Sequence, residues 1–301
     1  MLRDEKILIT GPTSQVAFPL ARELAKHNKV YGLARFSQQE DRRRLEAVGV
    51  TCVQADMAET SFEELPRDLT YVLNFAVVKT GSFEYDLAAN VESLGRLMER
   101  CRGAKAFLHC SSGAVYQPAG QHPLRESDAL GDSHRILFPT YSLSKIAAES
   151  MVRFGARQWN LPAVIARLSV PYGDNGGWPW FHLMMLRAGQ AIPLHPDKPN
   201  AFNPIHEDDY IAHVPKLLAL ASVPAVTLNW GGSELVSIEE WVAHLGKLTG
   251  LEVKLKTTEH SLPSLPMDLT RMHECLGRTT VDWRDGFRRM VAAFDPTLLR
   301  G

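Results

Sequence analysis

Ile7-Leu8-Ile9-Thr10-Gly11-Pro12-Thr13-Ser14-Gln15-Val16-Ala17 opens near the N-terminus with an apolar strand-like run, Ile7–Thr10, that stops at Gly11-Pro12. A helix is expected from about Gln15 to His27, where Phe18, Leu20, Ala21 and Leu24 recur at helical spacing. A strand that ends in a glycine turn and feeds a helix exposes unpaired backbone N–H groups at the helix start. The helix dipole adds positive potential there, so Gly11, Ser14, Gln15 and Val16 are placed to hold an anion such as a pyrophosphate. A glycine-rich phosphate turn would also carry Gly at positions 14 and 17, where this chain has Ser14 and Ala17. Ala17 still permits close helix–strand packing. Ser14 puts a side chain where backbone should approach phosphate, although its hydroxyl can donate. An ordinary capped helix explains this segment alone equally well.

The rest of the chain decides between the two. Val30–Ala34, Thr51–Gln54, Tyr71–Phe75, Ala106–Ser111 and Ala163–Leu168 read as further strands. Helices are expected over Gln39–Ala47, Glu84–Cys101 and from Tyr141 to about Gln158. Strand–helix alternation at these lengths predicts an α/β fold, a doubly wound parallel sheet covered on both faces, which is the Rossmann dinucleotide-binding architecture. After Gly173 the pattern loosens into loops with Trp178, Trp180 and several prolines around a helix at Phe181–Gly189. Asp208–Leu220 (helix), Val226–Trp230 (strand), Ser237–Gly250 (helix), Glu252–Lys256 (strand) and Trp283–Phe294 (helix) follow. The expected division is a dinucleotide-binding core over 1–173 and a small substrate-covering C-terminal lobe over 174–301, with 204–235 returning to the core.

Composition narrows the function classes. The 301 residues are 45% hydrophobic and 22% charged, which suits a globular chain with a sizeable core. The formal net charge is -1, so no basic surplus points to nucleic acid. Cys52, Cys101, Cys110 and Cys275 are scattered, without metal-ligand or disulfide-framework spacing, and read as thiols of a reducing compartment. The charged N-terminus does not read as a signal peptide, and no apolar run approaches the roughly 18 residues of a membrane span. A cytoplasmic chain is the expectation, with a small-molecule partner, no membrane association and no metal.

Two segments carry chemistry. Tyr141-Ser142-Leu143-Ser144-Lys145 puts a phenol and an ammonium one turn apart on a helix face, and Ser111-Ser112 ends a strand upstream. An unperturbed phenol has a pKa of about 10. A nearby ammonium lowers it, which lets Tyr141 exchange a proton with a carbinol or carbonyl oxygen that Ser112 also holds. Such chemistry needs a hydride carrier. Arg35, at the end of the second strand, stands where an acidic residue would bind a ribose 2′-hydroxyl; it suits a 2′-phosphate and points to NADP(H) over NAD(H). Asp56 and Met57 after the third strand are placed to meet an adenine ring.

With these motifs in chain order, the sequence resembles the extended short-chain dehydrogenase/reductase family, the group that includes the NAD-dependent epimerases and dehydratases. Asn74-Phe75-Ala76-Val77 is similar to the family's fourth-strand segment over the cofactor, and Asn90-Val91-Glu92-Ser93 to the helix whose Asn supports the catalytic Lys. Ala166–Gly173, with Leu168 and Val170, resembles its sixth-strand end beside the nicotinamide, and Pro204–Asp209 its Ile-His-Val-Asp-Asp element. The resemblance implies Tyr141 as acid/base, Lys145 as the residue that lowers its pKa and holds the nicotinamide ribose, and Ser112 on the reacting oxygen. His206 and Asp208 are expected to support the fold. It also implies a homodimer through the 84–101 and 141–158 helices, whose apolar residues an ordinary core explains equally well.

Departures from the family pattern bear on the reaction. The family's nucleotide-sugar dehydratases place an acid pair where this chain has Gly113-Ala114. Its sugar-nucleotide epimerases carry Arg where Phe202 stands and tend to have Asn at Val170. Trp178, Trp180 and Phe181 offer aromatic substrate contacts instead. The first expectation is therefore an NADP(H)-preferring oxidoreductase acting on a carbinol or ketone carbon of a small, ring-bearing substrate. An NAD(P)-dependent epimerase that retains its cofactor and a cofactor-binding sensor without turnover are the alternatives.

Overall fold

The computed structural model describes residues 2–59 and 61–300. Seven parallel strands form its main sheet: β1 (Lys6–Thr10), β2 (Lys29–Ala34), β3 (Thr51–Gln54), β4 (Tyr71–Asn74), β5 (Ala106–Ser112), β6 (Ala163–Leu168) and β7 (Val226–Trp230). Their order is β7-β6-β5-β4-β1-β2-β3. The chain winds outward from β1 to β3, then crosses back to β4 and continues the other way. The crevice beyond the carboxyl ends of β1 and β4 is thus the switch point where an open α/β sheet takes a ligand.

Burial on both faces explains the near-continuous apolar strands. Ile7 and Ile9 enter the core on one side of the sheet while Leu8, between them, enters the core on the other. Helix α1 (Ala17–Ala25) packs on the first side through Phe18, Leu20, Ala21 and Leu24, and the short α2 (Gln39–Glu46) follows β2. The segment after β4 starts as α3 (Phe83–Leu87), widens into a single turn of π-helix at Ala88–Glu92 and continues as α4 (Ser93–Arg100). Helices α4 and α5 (Tyr141–Gln158) cover the second side with Leu94, Leu97, Met98, Ala148, Val152 and Ala156.

The later chain adds α6 (Trp178–Arg187), α7 (Glu207–Ala219), α8 (Ile238–Thr249), α9 (Thr270–Leu276) and α10 (Trp283–Phe294). Helix α6 starts three residues before the sequence expectation, because Pro179 fits its first turn, where no N–H partner is needed. The strand expected at Glu252–Lys256 forms instead at Leu255–Thr257, paired only with Ile192–Leu194. Helix α9 had no sequence expectation; it is short and follows a proline-rich run. Trp178, His182, Phe202 and Trp241 pack ring to ring at the centre of the lobe, with centroids 5.0–6.1 Å apart. No helix among the described residues is long and apolar enough to cross a membrane.

One ion pair fixes α5 to the sheet. Glu149, without solvent exposure, accepts from Arg167 Nε at 2.9 Å and Nη2 at 2.8 Å, and from Ser111 Oγ at 2.7 Å. Arg167 also donates to the Glu126 carbonyl at 3.0 Å and lies over the Tyr116 ring. Burial raises the Glu149 carboxyl pKa, but the Arg167 fork and Ser111 outweigh it, and the net shift is downward. A depressed carboxylate contributes stability above its unfolded pKa and loses it as pH falls through the folded value. Glu149→Ala should therefore cost about 3–5 kcal/mol in denaturant unfolding at neutral pH, by leaving Arg167 buried and unpaired. The difference from wild type should shrink in acid, and an unchanged midpoint at neutral pH would contradict this role.

Candidate active site

Gly11 turns at φ +65°, and a Cβ on it would sit 2.8 Å from Ala76 Cα, so the turn after β1 admits only glycine without displacing the β4 loop. The phosphate turn is gripped from outside. Tyr210 of α7 donates to the Val16 carbonyl at 3.0 Å, and Asn175 Nδ2 to the Gln15 carbonyl at 3.0 Å. Gln15 Nε2 donates back to the Gly176 carbonyl. The Ser14 hydroxyl accepts from Ala17 N–H at 3.2 Å, so it caps the start of α1. Gly11 and Ser14 face one cavity and Gln15 another, while Val16 lines neither.

The first cavity, of about 250 Å³, lies beyond the carboxyl ends of β1 to β4. Arg35, Asp56, Met57, Phe75, Ala76 and Val77 all line it, together with Phe36, Ser37 and Asp41. Phe36 takes φ +48°, an uncommon value for a bulky residue; its ring is buried while Arg35 is left exposed. Tyr85 of α3, unmarked in the sequence, donates to Asp56 Oδ2 at 2.9 Å and accepts from Arg35 Nη1 at 3.3 Å. Below the cavity, Thr10 Oγ1 donates to Asn74 Oδ1 at 2.7 Å and accepts from the Phe75 and Ala76 N–H groups. Asn74 Nδ2 in turn meets His109 Nδ1 at 2.9 Å. This buried polar row fixes the Phe75–Val77 backbone. The glycine cradle and the cavity above it fit the adenosine and phosphate portion of a dinucleotide.

The second cavity, of about 350 Å³, adjoins the carboxyl ends of β5 and β6. Ser112, Tyr141, Leu168, Val170, Trp178 and Phe181 line it; Trp180 does not, because its ring packs on Phe181 and on Phe294 of α10. Phe181 is 60% exposed, at the rim. Of the two adjacent serines, Ser111 is spent on Glu149, and Ser112 faces the cavity, its Oγ accepting from Ala114 N–H. The start of α5 is held by Asp86, a buried carboxylate that accepts from Thr140 Oγ1 at 2.5 Å and from Thr80 and Gly81. Nothing in the sequence pattern marks Asp86, since its partners lie in two separate loops.

Lys145 is buried one turn beyond Tyr141 and donates to the Cys110 carbonyl at 2.6 Å; it lines neither cavity. Asn90, expected to support it, instead exchanges two hydrogen bonds with the Val78 backbone, because the π turn at Ala88–Glu92 carries its side chain toward the β4 loop. Contrary to the sequence expectation, Lys145 is not among the groups that shift the Tyr141 pKa. Burial pushes the phenol up to about 12, and Ser112 is the neighbour that pulls it down. Burial also lowers the Lys145 pKa. Tyr141 is thus a protonated donor at neutral pH, placed with Ser112 to hold one oxygen. His206 accepts from Asp208 N–H at the start of α7 and packs on Tyr172, while Asp208 pairs with Arg289.

A further wall comes from Leu262, Leu265 and Met267, which sequence reasoning left unassigned. Ser264 holds this strap, donating to the Pro199 carbonyl at 2.6 Å and accepting from Ala201 N–H at 3.0 Å. Met267 Cε would lie 2.7 Å from a Cβ on Gly113, so its methyl fills the space that glycine leaves.

Residues 7–189 match the NAD dependent epimerase/dehydratase family. No curated protein matches the chain in sequence. Among solved structures, UDP-glucuronic acid 4-epimerase from Bacillus cereus, in complex with UDP-glucuronic acid and NAD, superposes with a TM-score of 0.81 at 20% identity, covering 97% of this chain and 99% of that one. UDP-N-acetylglucosamine 4-epimerase from Methanobrevibacter ruminantium M1 gives 0.84 at 16% identity, over 98% and 100%. DesIV, a dTDP-glucose 4,6-dehydratase from Streptomyces venezuelae with NAD bound, gives 0.81 at 20% identity, over 97% of each chain. These neighbours share the fold, and the family match extends over more than half of the sequence. The chain belongs to the NAD dependent epimerase/dehydratase family, and is an enzyme of the extended short-chain dehydrogenase/reductase type.

Proposed function

We propose that the protein is an NADP(H)-preferring oxidoreductase that interconverts a ketone and a carbinol on a small, apolar, ring-bearing substrate. The observation that carries this reading is the wall of the second cavity. Ser112 and Tyr141 face Trp178, Phe202, Leu262, Leu265 and Met267, and among the described residues neither a carboxylate nor an arginine lines the space. Phe202 packs between Trp178 and Trp241, its ring centroid 5.0 and 6.1 Å from theirs. A diphosphate is best recognised by a bidentate guanidinium, and this wall supplies none; its one cationic side chain is Lys79.

The residues divide the work as follows. Gly11, Ser14 and the start of α1 hold the phosphates, and Arg35 takes the 2′-phosphate, with Asp41 in the same cavity opposing it. A bound nicotinamide supplies or accepts the hydride. Ser112 and Tyr141 grip the carbonyl oxygen, and Tyr141, protonated at neutral pH, donates the proton as negative charge develops. Lys145, one turn away and held by the Cys110 carbonyl, would have to turn from that acceptor to favour the resulting phenolate.

The family match and the UDP-sugar ligands of the neighbours favour a second reading, an epimerase that oxidises and re-reduces its substrate on a retained cofactor. A net change in reduced-nicotinamide absorbance on adding a ketone separates the two, because an epimerase gives none. Calorimetry with UDP-glucuronic acid should show no micromolar binding; tight binding would restore the epimerase reading.

Tyr141→Phe keeps the ring and removes the donor. Turnover should fall by about 100- to 10,000-fold with cofactor affinity little changed. Equal turnover in the variant would move the chemistry elsewhere.

NADPH should bind more tightly than NADH in fluorescence titration. Arg35→Ala should weaken NADPH alone, by about 1.5–3 kcal/mol for a charge-assisted contact. Equal affinities for the two cofactors in the wild type would end the NADP assignment.

A further inference from the structure

His134, in the loop before α5, lines the second cavity but has no part in the proton transfer. Its backbone is held on both sides: its N–H donates to Ser142 Oγ at 3.2 Å, and its carbonyl accepts from Phe138 N–H at 2.8 Å. Its ring Nδ1 lies 2.9 Å from the hydroxyl of Ser133, a buried residue whose Oγ donates to the Ala114 carbonyl at 3.0 Å. A serine hydroxyl has one proton, and a carbonyl can only accept it. Ser133 therefore spends its proton on Ala114 and accepts from Nδ1–H. Burial and the nearby Lys79 ammonium drive the imidazole pKa down to about 4, so the ring is neutral at physiological pH and carries a single proton. With that proton on Nδ1, Nε2 is a bare acceptor.

With Nδ1 turned to Ser133, the far edge of the ring is left to the cavity. Nε2 makes no hydrogen bond among the described residues, and unlike Nε2 of His109 and of His206 it is not sealed from solvent. Lys79 lies over the Phe138 and Tyr141 rings and makes no hydrogen bond to this nitrogen. The imidazole centroid is 5.9 Å from that of the Tyr141 ring, within the range of paired rings, so Nε2 serves the same part of the substrate as the phenol. Ser112 and Tyr141 answer an acceptor on the substrate; His134 answers a donor. We propose that His134 is a specificity-determining residue, accepting a hydrogen bond from a hydroxyl carried close to the reacting carbon, so that hydroxy ketones are preferred over plain ketones. A substrate without that hydroxyl would displace solvent from Nε2 and leave it unpaired in an otherwise apolar wall, which costs more than the bond itself gains.

This inference rests on the second cavity being the substrate site, and the tests keep the two apart. The tautomer is read without any substrate: in the imidazole nitrogen NMR spectrum, the His134 signals, assigned by their loss in His134→Phe, should show the proton on Nδ1. A proton on Nε2 would overturn the assignment. Binding of α-hydroxyacetophenone and of propiophenone, which has a methyl in place of the hydroxyl, is then measured by calorimetry on the protein loaded with NADP+. Wild type should prefer the hydroxy ketone by about fivefold or more, the scale of one neutral hydrogen bond. His134→Phe should lose that preference while still binding propiophenone, and His134→Gln, whose amide oxygen reaches about as far as Nε2, should keep it. If propiophenone binds and the hydroxyl brings no preference, or if His134→Phe keeps the preference, the cavity takes the ring but the His134 assignment is overturned. If neither ketone binds wild type, the substrate-site reading fails and the assignment with it. NADP+ affinity should be the same in His134→Phe; a loss there would give Nε2 to the cofactor and overturn the proposal.

Discussion

Arg167 donates two hydrogen bonds to Glu149 inside the protein, and the placement of the reacting groups depends on them. Tyr141, Lys145 and Glu149 follow one another at four-residue intervals, so they share one face of α5 and point at successive levels of the sheet. Glu149 is tied to Ser111 of β5 and Arg167 of β6, and Lys145 to the backbone of β5 at Cys110. The helix cannot slide or roll without breaking charged contacts that have no access to water. Tyr141, at the end of that face, takes its position relative to Ser112 in part from contacts made one and two turns away. Such a pair is weak evidence for net stability, because desolvation offsets much of its attraction; its effect here is to select a single seating for the helix.

The opposite end of α5 is set by a different device. Asp86 collects Thr140, Thr80 and Gly81, so the last residue before Tyr141 and the loop that carries Lys79 share one buried carboxylate. Hydrogen bonds from several donors favour its charged form over the burial that opposes it. The two cavities are thereby linked: the loop that runs from the adenosine side through Val77 and Val78 to Lys79 ends at the cap of the helix that presents the phenol.

The sheet was legible because buried parallel strands are short apolar runs bounded by turn residues. Thr51–Gln54, Ala163–Leu168 and Val226–Trp230 have the ends expected of them. The site was legible where a chemical reason ties a residue type to a place along one element, as for Gly11 at a strand–helix turn or Tyr141 and Lys145 on one helix face. Contacts made across the chain were not. Asp86, Tyr85 and Ser264 act through partners in distant loops, and the Ser261–Met267 run has no periodicity to betray a cavity wall. Trp180 shows the converse: three aromatics close in sequence suggested one surface, but helix geometry turns Trp180 toward Phe294, away from Trp178. The Tyr141 pKa went against expectation for a similar reason, since sequence spacing gives proximity along the helix and not the acceptor that Lys145 selects.

The seating of the Met267 methyl over Gly113 joins two positions far apart in the chain. A side chain added at 113, such as the acid that the family's dehydratases carry beside the serine, meets that methyl first. Conversely, shortening Met267 alone opens an apolar hole above the glycine and leaves its lining without partners. The methyl is the far end of a flexible side chain, so Met267 can swing aside for a larger residue at 113. The two positions are coupled through one movable contact, and the shape of the cavity floor beside Ser112 is set jointly by a glycine on one segment and the rotamer of a methionine on another.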